Sequence, residues 1–140
     1  MSNLRVGVLD MKSEHRELLE QLRPAHRVLV VDDHPSFRRC ARALLTAEGF
    51  EVVGEAENGA SAVALAGELM PELVLLDVQL PDTDGFEVAA RLLARDPDLA
   101  IVLISSRERT DYGPLVEQSG ARGFVCKGDL SGAAIERLLE

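Results

Sequence analysis

The fold is decided by the stretch VLVVDDHP at residues 28–35, in which four apolar residues run directly into two aspartates. A continuous apolar run of this length is typical of a strand that is buried on both faces of a parallel sheet. Comparable runs recur along the chain, at residues 28–31, 52–54, 73–76, 101–104 and 123–126. We therefore expect five buried strands.

Helical periodicity separates these runs. Apolar residues recur at three- and four-residue steps after Pro35, a favoured helix start, and stop before Gly49. The stripes lie at residues 37–45, 60–70, 86–94, 112–116 and 133–139. The fourth stripe, which contains Tyr112 and ends before Gly120, is the weakest. Alternating strands and helices with right-handed crossovers predict an α/β fold with a doubly wound parallel sheet in the order 2-1-3-4-5.

The first part of the chain follows a different pattern. Residues 6–9 predict a short strand, and the apolar side chains of residues 11–22 share one face of a helix that Pro24 would end. We therefore divide the chain into an N-terminal extension, residues 1–26, and one domain, residues 27–140. The extension either adds an edge strand and a helix, packs on a partner, dimerises, or is loosely attached.

Charge and composition narrow the function. Because 24 acidic residues oppose 15 basic ones, for a net charge of −9, we expect no direct binding to nucleic acid. No apolar run is long enough to cross a bilayer and no signal-peptide pattern opens the chain, so we expect a cytoplasmic protein without membrane contact. Cys40 and Cys126 lack the spacing of a metal or redox motif, and we expect both to be small buried hydrophobes.

Polar residues follow or end four of the five predicted strands. Asp32 and Asp33 follow the first strand, Asp77 the third, Ser105 the fourth, and Lys127 the fifth. In a doubly wound sheet the carboxyl ends of neighbouring strands meet in one crevice, so these side chains should converge. Three neighbouring carboxylates repel one another, and such a cluster persists best around a hard divalent cation such as Mg²⁺. One carboxylate would remain free as a nucleophile, which fits aspartyl-phosphate chemistry.

Three segments carry a resemblance to a known family. They read VLVVDDHP at 28–35, LLDVQLPDTDG at 75–85 and GARGFVCK at 120–127. In order, spacing and context they resemble the response-regulator receiver domain of two-component signalling, over residues 27–140. The first and last segments are most similar to the branch that usually carries a C-terminal LuxR/NarL-type helix-turn-helix. The resemblance implies a flavodoxin-like fold and a phosphorylation-controlled switch rather than an enzyme acting on a small molecule.

The resemblance also implies roles for the acidic residues. Asp77 matches the phosphoacceptor, and Asp32 and Asp33 match the acidic pair that holds Mg²⁺ or Mn²⁺. Asp33, Asp77 and the backbone carbonyl of Gln79 would contact the ion directly, with Asp32 acting through water. Lys127 matches the lysine that pairs first with the acceptor carboxylate and then with the phosphoryl group.

A second set of residues would respond to the phosphorylation of Asp77. By the same resemblance, Ser105 is the switch hydroxyl and Phe124 the switch aromatic, and together they couple Asp77 to the surface of the last two helices and the fifth strand. Gln79 and Arg107 would tune self-dephosphorylation.

Four positions depart from the commoner family pattern. Ser105 replaces threonine, Phe124 replaces tyrosine and so lacks a phenol, Leu80 replaces methionine, and Gly128 replaces proline. The isomer of the Lys127–Gly128 bond stays open. Since no charged member of the site is lost, we expect phosphorylation with an altered lifetime or coupling.

Competing functions remain at this point. A haloacid-dehalogenase-type phosphatase also uses a strand-end aspartate with Mg²⁺, but it needs an acid where Gln79 stands. A flavodoxin-like nucleotide binder would need a glycine-rich loop after Val31. Within the receiver family, the partners implied are a sensor histidine kinase or histidine phosphotransfer protein, and a downstream protein or a homodimer. If an output domain is missing from this chain, the whole protein would instead be a DNA-binding transcription regulator.

Overall fold

The computed structural model describes residues 26–140, which form one parallel sheet covered by helices on both faces. The five strands are β1 (Arg27–Val31), β2 (Glu51–Ala56), β3 (Leu73–Asp77), β4 (Ala100–Ser105) and β5 (Gly123–Cys126). The helices are α1 (Pro35–Ala47), α2 (Gly59–Leu69), α3 (Gly85–Arg95), α4 (Leu115–Gln118) and α5 (Gly132–Leu139). Two 3₁₀ turns, Arg109–Tyr112 and Lys127–Asp129, flank α4 and β5.

The sheet has the strand order β2-β1-β3-β4-β5, with every pair parallel. This order and the flavodoxin-like architecture were predicted from the sequence and are confirmed. Side chains alternate along each strand, so one set packs under α2, α3 and α4 and the other under α1 and α5. In β1, β3 and β4 both sets are buried, which explains their uninterrupted apolar sequences.

Local sequence signals set the limits of the first helix. Pro35 occupies its first turn, where a missing N–H costs nothing, and Ala41 and Leu45 face the core. Gly49, just past the helix end, adopts a φ of 92°, a conformation that favours glycine. The chain therefore turns directly from α1 into β2.

Two expectations about the fold were wrong. The weak stripe near Tyr112 is not one helix but a 3₁₀ turn followed by the four-residue α4, because only Val116 of the segment is fully buried. Cys40 is exposed and Cys126 is only partly buried, so neither thiol is a core hydrophobe. The expected N-terminal strand and helix fall outside the described residues, and the proposed domain limits stay a prediction.

None of the helices between residues 26 and 140 combines the length and hydropathy needed to span a bilayer.

Candidate functional site

The strand register brings the acidic residues to one edge of the sheet. Val31 of β1 pairs with Leu76 of β3, so the residues that follow them, Asp32 and Asp77, lie side by side. Asp77 in turn pairs with Ile104 of β4, next to Ser105. Because these strands are parallel and adjacent, their carboxyl ends open onto the same crevice.

Lys127 bridges the two innermost carboxylates. Its Nζ lies 2.5 Å from Asp32 Oδ2 and 3.1 Å from Asp77 Oδ2, and it is 4.7 Å from the centre of the Phe37 ring. Both carboxylates lie close enough to attract the ammonium, and the contact with Asp77 also has hydrogen-bond geometry. Burial lowers the pKa of Lys127, but the attraction of both carboxylates outweighs burial and raises that pKa above its usual range.

Asp77 is buried and held by two hydrogen bonds. It is 2% exposed, and its Oδ1 accepts a hydrogen bond of 3.0 Å from the backbone N–H of Gln79. Burial raises the pKa of Asp77 to about 6, against the opposing effects of the Gln79 N–H and of Lys127. Removal from water therefore dominates, and extra positive charge beside this group would favour its ionised form.

The remaining acids leave oxygen atoms without hydrogen-bond donors. Asp32 is fully buried, and its Oδ1 accepts a 2.8 Å hydrogen bond from the His34 backbone. The exposed His34 ring lies 3.1 Å from both Asp32 Oδ1 and Asp33 Oδ1. Asp32 Oδ2 and Asp33 Oδ1 are shielded from solvent, yet neither accepts a hydrogen bond. The Lys127 ammonium faces Asp32 Oδ2 and the His34 ring faces Asp33 Oδ1, so both oxygens have close polar neighbours but no hydrogen bond, and a bound cation would stabilise them.

The geometry of this cluster fits a divalent cation. One donor atom from each of Asp32, Asp33, His34 and Asp77 lies within 4.8 Å of the others. Three carboxylates face one ammonium, which leaves two negative charges for a dication to balance. Carboxylate oxygens are the ligands that Mg²⁺ and Mn²⁺ prefer, and the donors Asp33 Oδ1 and Asp77 therefore suit such an ion.

The loop after Asp77 is fixed on three sides. Gly85 N–H donates to the Val78 carbonyl at 2.7 Å, and Gln79 forms a bridge with Asp84. Asp82 accepts hydrogen bonds from the first two backbone N–H groups of α2, at 2.8 and 3.0 Å. These contacts hold the Gln79 backbone, while its side chain is exposed at the rim.

Ser105 is placed at the same edge but is engaged elsewhere. The residue is fully buried, and its Oγ accepts a 3.0 Å hydrogen bond from the Arg107 N–H. A second hydrogen bond, of 2.6 Å, joins Ser105 Oγ to the Tyr112 hydroxyl. Among residues 26–140, these are the side-chain hydrogen bonds of Ser105, so the structure does not join this hydroxyl to Asp77. The Arg107 side chain is exposed.

Phe124 lies beside this pair in β5. Its ring centre is 5.8 Å from that of Tyr112, and Phe86 of α3 meets the other side of Tyr112 at 5.7 Å. The peptide bond between Lys127 and Gly128, whose isomer the sequence left open, is trans, since no cis bond occurs between residues 26 and 140.

Comparison with known proteins identifies the family. Residues 28–136 match the response regulator receiver domain. The chain belongs to the response regulator receiver family. This membership confirms the resemblance described above, identifies a signalling domain rather than a typical enzyme, and favours the receiver over the phosphatase and nucleotide-binding alternatives.

Relatives and solved structures agree with the predicted branch. The receiver is 41% identical over 102 residues to the transcription regulator BvgA of Bordetella pertussis, covering 73% of this chain and 49% of BvgA. It is 37% identical over 115 residues to the response regulator GacA of Pseudomonas aeruginosa, covering 81% and 52%. The chain thus spans about half the length of the curated relatives it matches.

The folded part is also similar to solved receivers. The receiver domain of a NarL response regulator from Mycobacterium tuberculosis superposes with a TM-score of 0.72 at 34% identity, covering 82% of this chain and 97% of that one. A LuxR-family response regulator from Aurantimonas sp. SI85-9A1 gives a TM-score of 0.74 at 28% identity, covering 82% and 86%. These likenesses confirm the LuxR/NarL branch expected from the sequence.

Three features of the receiver site were missed by sequence reasoning. Tyr112 was assigned only to a helical stripe, and nothing in the sequence indicated its contact with Ser105 across a 3₁₀ turn. Phe37 was assigned to the core, whereas its ring also faces the Lys127 ammonium. His34 was noted as part of a motif, without the contacts that it makes to both neighbouring carboxylates.

Proposed function

We propose that this receiver domain accepts a phosphoryl group on Asp77 and thereby acts as a switch in a two-component signalling system. The observation that carries the proposal is the pairing of a buried strand-end carboxylate with the Lys127 ammonium at 3.1 Å, beside two further acids. A nucleophilic carboxylate needs positive charge beside it, such as the Lys127 ammonium, because it would otherwise repel the oxygens of the incoming phosphoryl group.

Mg²⁺ or Mn²⁺ would be held by Asp33, Asp77 and the backbone carbonyl of Gln79, with Asp32 acting through water. The Asp33 oxygen that accepts no hydrogen bond and the two uncompensated negative charges support this assignment. When bound, such an ion neutralises the incoming phosphoryl oxygens. The contacts of the loop after Asp77 hold the Gln79 backbone in place, which supports a role for its carbonyl.

The chain's own groups account for the transfer. One oxygen of the Asp77 carboxylate attacks phosphorus, so that a P–O bond forms while the P–N bond to the donor histidine breaks. The electron pair of the broken bond returns to the imidazole nitrogen, which takes up a proton. Lys127, which now contacts Asp77 Oδ2, would move its hydrogen bond to a phosphoryl oxygen and hold the new charge.

The response would run through Ser105 and Phe124. A phosphoryl group on Asp77 would attract the Ser105 hydroxyl and so favour the conformation in which Ser105 turns toward Asp77. Phe124 would then move into the space that Ser105 leaves. Gln79 and Arg107 are exposed at this rim, which is consistent with a role for both side chains in tuning self-dephosphorylation.

The partners follow from the same chemistry. The phosphodonor would be a sensor histidine kinase or a histidine phosphotransfer protein, and the output a downstream protein or a homodimer, within the cytoplasm. A second output is favoured by the relatives: BvgA is named as a transcription regulator, and this chain matches about half of it. An output domain outside this chain would then bind DNA, since the net charge of −9 disfavours binding by the receiver itself.

The test is labelling with acetyl phosphate, a small phosphodonor, followed by intact mass measurement. Wild-type protein should gain one phosphoryl group with Mg²⁺ and none when the ion is chelated. The Asp77→Asn variant should gain none, whereas the exposed Asp98→Asn control should label like the wild type. Undiminished labelling of Asp77→Asn would refute the proposed acceptor.

A further inference from the structure

The sole tyrosine of the chain contacts the residue that would read the phosphoryl group. The Tyr112 hydroxyl lies 2.6 Å from Ser105 Oγ, and its ring packs between Phe86 and Phe124. Sequence reasoning assigned the switch to Ser105 and Phe124 and noted that Phe124 lacks a phenol. The structure supplies a phenol to this site from residue 112 instead.

The hydrogen-bonding capacity of Ser105 makes this contact consequential. A serine hydroxyl has one hydrogen to donate and two lone pairs to accept with. The Arg107 N–H already occupies one lone pair. Ser105 is fully buried, and the Tyr112 hydroxyl, with either oxygen as the donor, is its second hydrogen-bond partner among residues 26–140. The phenol therefore holds the serine hydroxyl in place as long as no phosphoryl group is present.

The segment that carries Tyr112 is mostly exposed. The side chain sits at the end of a 3₁₀ turn, which is held by a capping interaction between Glu108 and Asp111. Gly113 follows with a φ of 58°, and no atom lies within 4 Å of the position that a Cβ would take there. Residues 106–111 are exposed, so a shift of the turn disturbs little buried structure.

We propose that the Tyr112–Ser105 hydrogen bond is a latch that holds the receiver in its unphosphorylated arrangement. This inference rests on the function proposed above. For Ser105 to donate to a phosphoryl oxygen on Asp77, its hydroxyl must turn toward Asp77 and away from Tyr112, and the phenol then loses its buried partner. Release of the ring from between Phe86 and Phe124 transmits the modification to β5 and the turn before α4. Tyr112 is thus a positioning residue for the switch hydroxyl.

The test compares the binding of beryllofluoride, a phosphoryl mimic, in the presence of Mg²⁺. Tyr112→Phe keeps the ring and removes the competing hydroxyl, so it should bind beryllofluoride about two- to tenfold more tightly than the wild type, as expected for loss of one hydrogen bond. Ser105→Ala should bind more weakly. In the Ser105→Ala background, Tyr112→Phe should change nothing, because the latch acts through the serine hydroxyl.

Tyrosine emission gives an independent readout. The chain contains one tyrosine and no tryptophan, so its intrinsic fluorescence reports Tyr112 alone. Emission should change as beryllofluoride saturates the wild type and stay constant in Asp77→Asn. A wild type that binds beryllofluoride without a change in emission would overturn the latch, as would a Tyr112→Phe variant of equal or weaker affinity. Failure of the wild type to bind beryllofluoride at all would overturn the proposed function with it.

Discussion

The loops that follow β3 and β4 leave the sheet at the same edge, but they are held in different ways. Residues 78–84 are tied to their surroundings by the Gly85–Val78 hydrogen bond, the Gln79–Asp84 bridge and the contact of Asp82 with α2. Residues 106–122 form a 3₁₀ turn and a four-residue helix in which only Val116 is fully buried, and they are tied by the Tyr112 hydroxyl, the Arg109–Glu117 ion pair and the hydrogen bond from the Arg122 N–H to the Ile101 carbonyl. The loop beside the proposed acceptor is thus held by close backbone packing, whereas the segment proposed to respond is mostly exposed.

The largest expected effect comes from disturbing the fixed loop at Gly85. A Cβ at this position would lie 2.5 Å from the Asp77 carbonyl oxygen and 2.8 Å from the Val78 Cα, so backbone must shift. We expect Gly85→Ala to lower the free energy of unfolding by about 1–3 kcal/mol, as overpacking does. It should also slow labelling by acetyl phosphate. Chemical denaturation and intact mass measure the two effects.

Gly128→Ala is the matched control for this substitution. Gly128 follows Lys127 at the same rim, but a Cβ there meets no atom within 4 Å. We expect a change in unfolding free energy within about 0.5 kcal/mol, which is typical of surface positions. Equal stability of the two alanine variants would contradict the claim that close backbone packing fixes the Asp77 loop.

Metal addition should affect the fixed site next most strongly. In the proposed site Mg²⁺ would bind the assembled carboxylates of the folded state, so a concentration tenfold above its dissociation constant should stabilise the wild type by about 1.4 kcal/mol. The Asp33 oxygen that accepts no hydrogen bond would contact the ion directly, so Asp33→Asn should lose most of the effect. Asp98→Asn, at an exposed position, should retain it. Thermal unfolding of the wild type and both variants, with Mg²⁺ and with a chelator, measures this stabilisation. An unfolding midpoint of the wild type that does not change with Mg²⁺ would refute the cation site.

The smallest effect concerns the contact of Asp82 with α2. Hydrogen bonds from the N–H groups of Gly59 and Ala60 lower the pKa of Asp82 below its ordinary value of 3.8. A carboxyl with a lowered folded pKa stabilises the protein above the unfolded pKa, and this contribution is lost as pH falls through the folded pKa. Asp82→Asn should therefore be less stable than the wild type from about pH 7 to about pH 5, and the difference should shrink below about pH 4. Thermal unfolding over that range measures it, and a constant difference would show that charge plays no part.

Much of the fixed region was predictable from the sequence. The apolar runs of β1, β3 and β4 are uninterrupted because both faces of these strands are buried, and the polar residues at their ends mark the crevice. The edge strand β2 is longer than its apolar run of residues 52–54, since its partly exposed positions tolerate polar side chains. Backbone pairing, which leaves no hydrophobic pattern, extends it on both sides.

The mostly exposed segment was not predictable in the same way. The helical spacing of apolar residues includes both Tyr112 and Val116. In the structure, however, Tyr112 ends a 3₁₀ turn, and only Val116 is buried in the core. The contact between Tyr112 and Ser105 depends on where that turn places the ring, which no local pattern encodes. Cys40 shows a related limit, because spacing identifies an apolar stripe without showing which edge of it faces solvent.

The central claim is that the fixed carboxylate at the end of β3 receives the phosphoryl group. The most direct measurement labels the wild type with acetyl phosphate and Mg²⁺, traps the acyl phosphate by borohydride reduction, and locates the reduced residue by peptide mass spectrometry. The account predicts reduction at Asp77 alone. Reduction at Asp33 or Asp32 with Asp77 unchanged, or a phosphoryl group on Ser105 with no reduced aspartate, would contradict it.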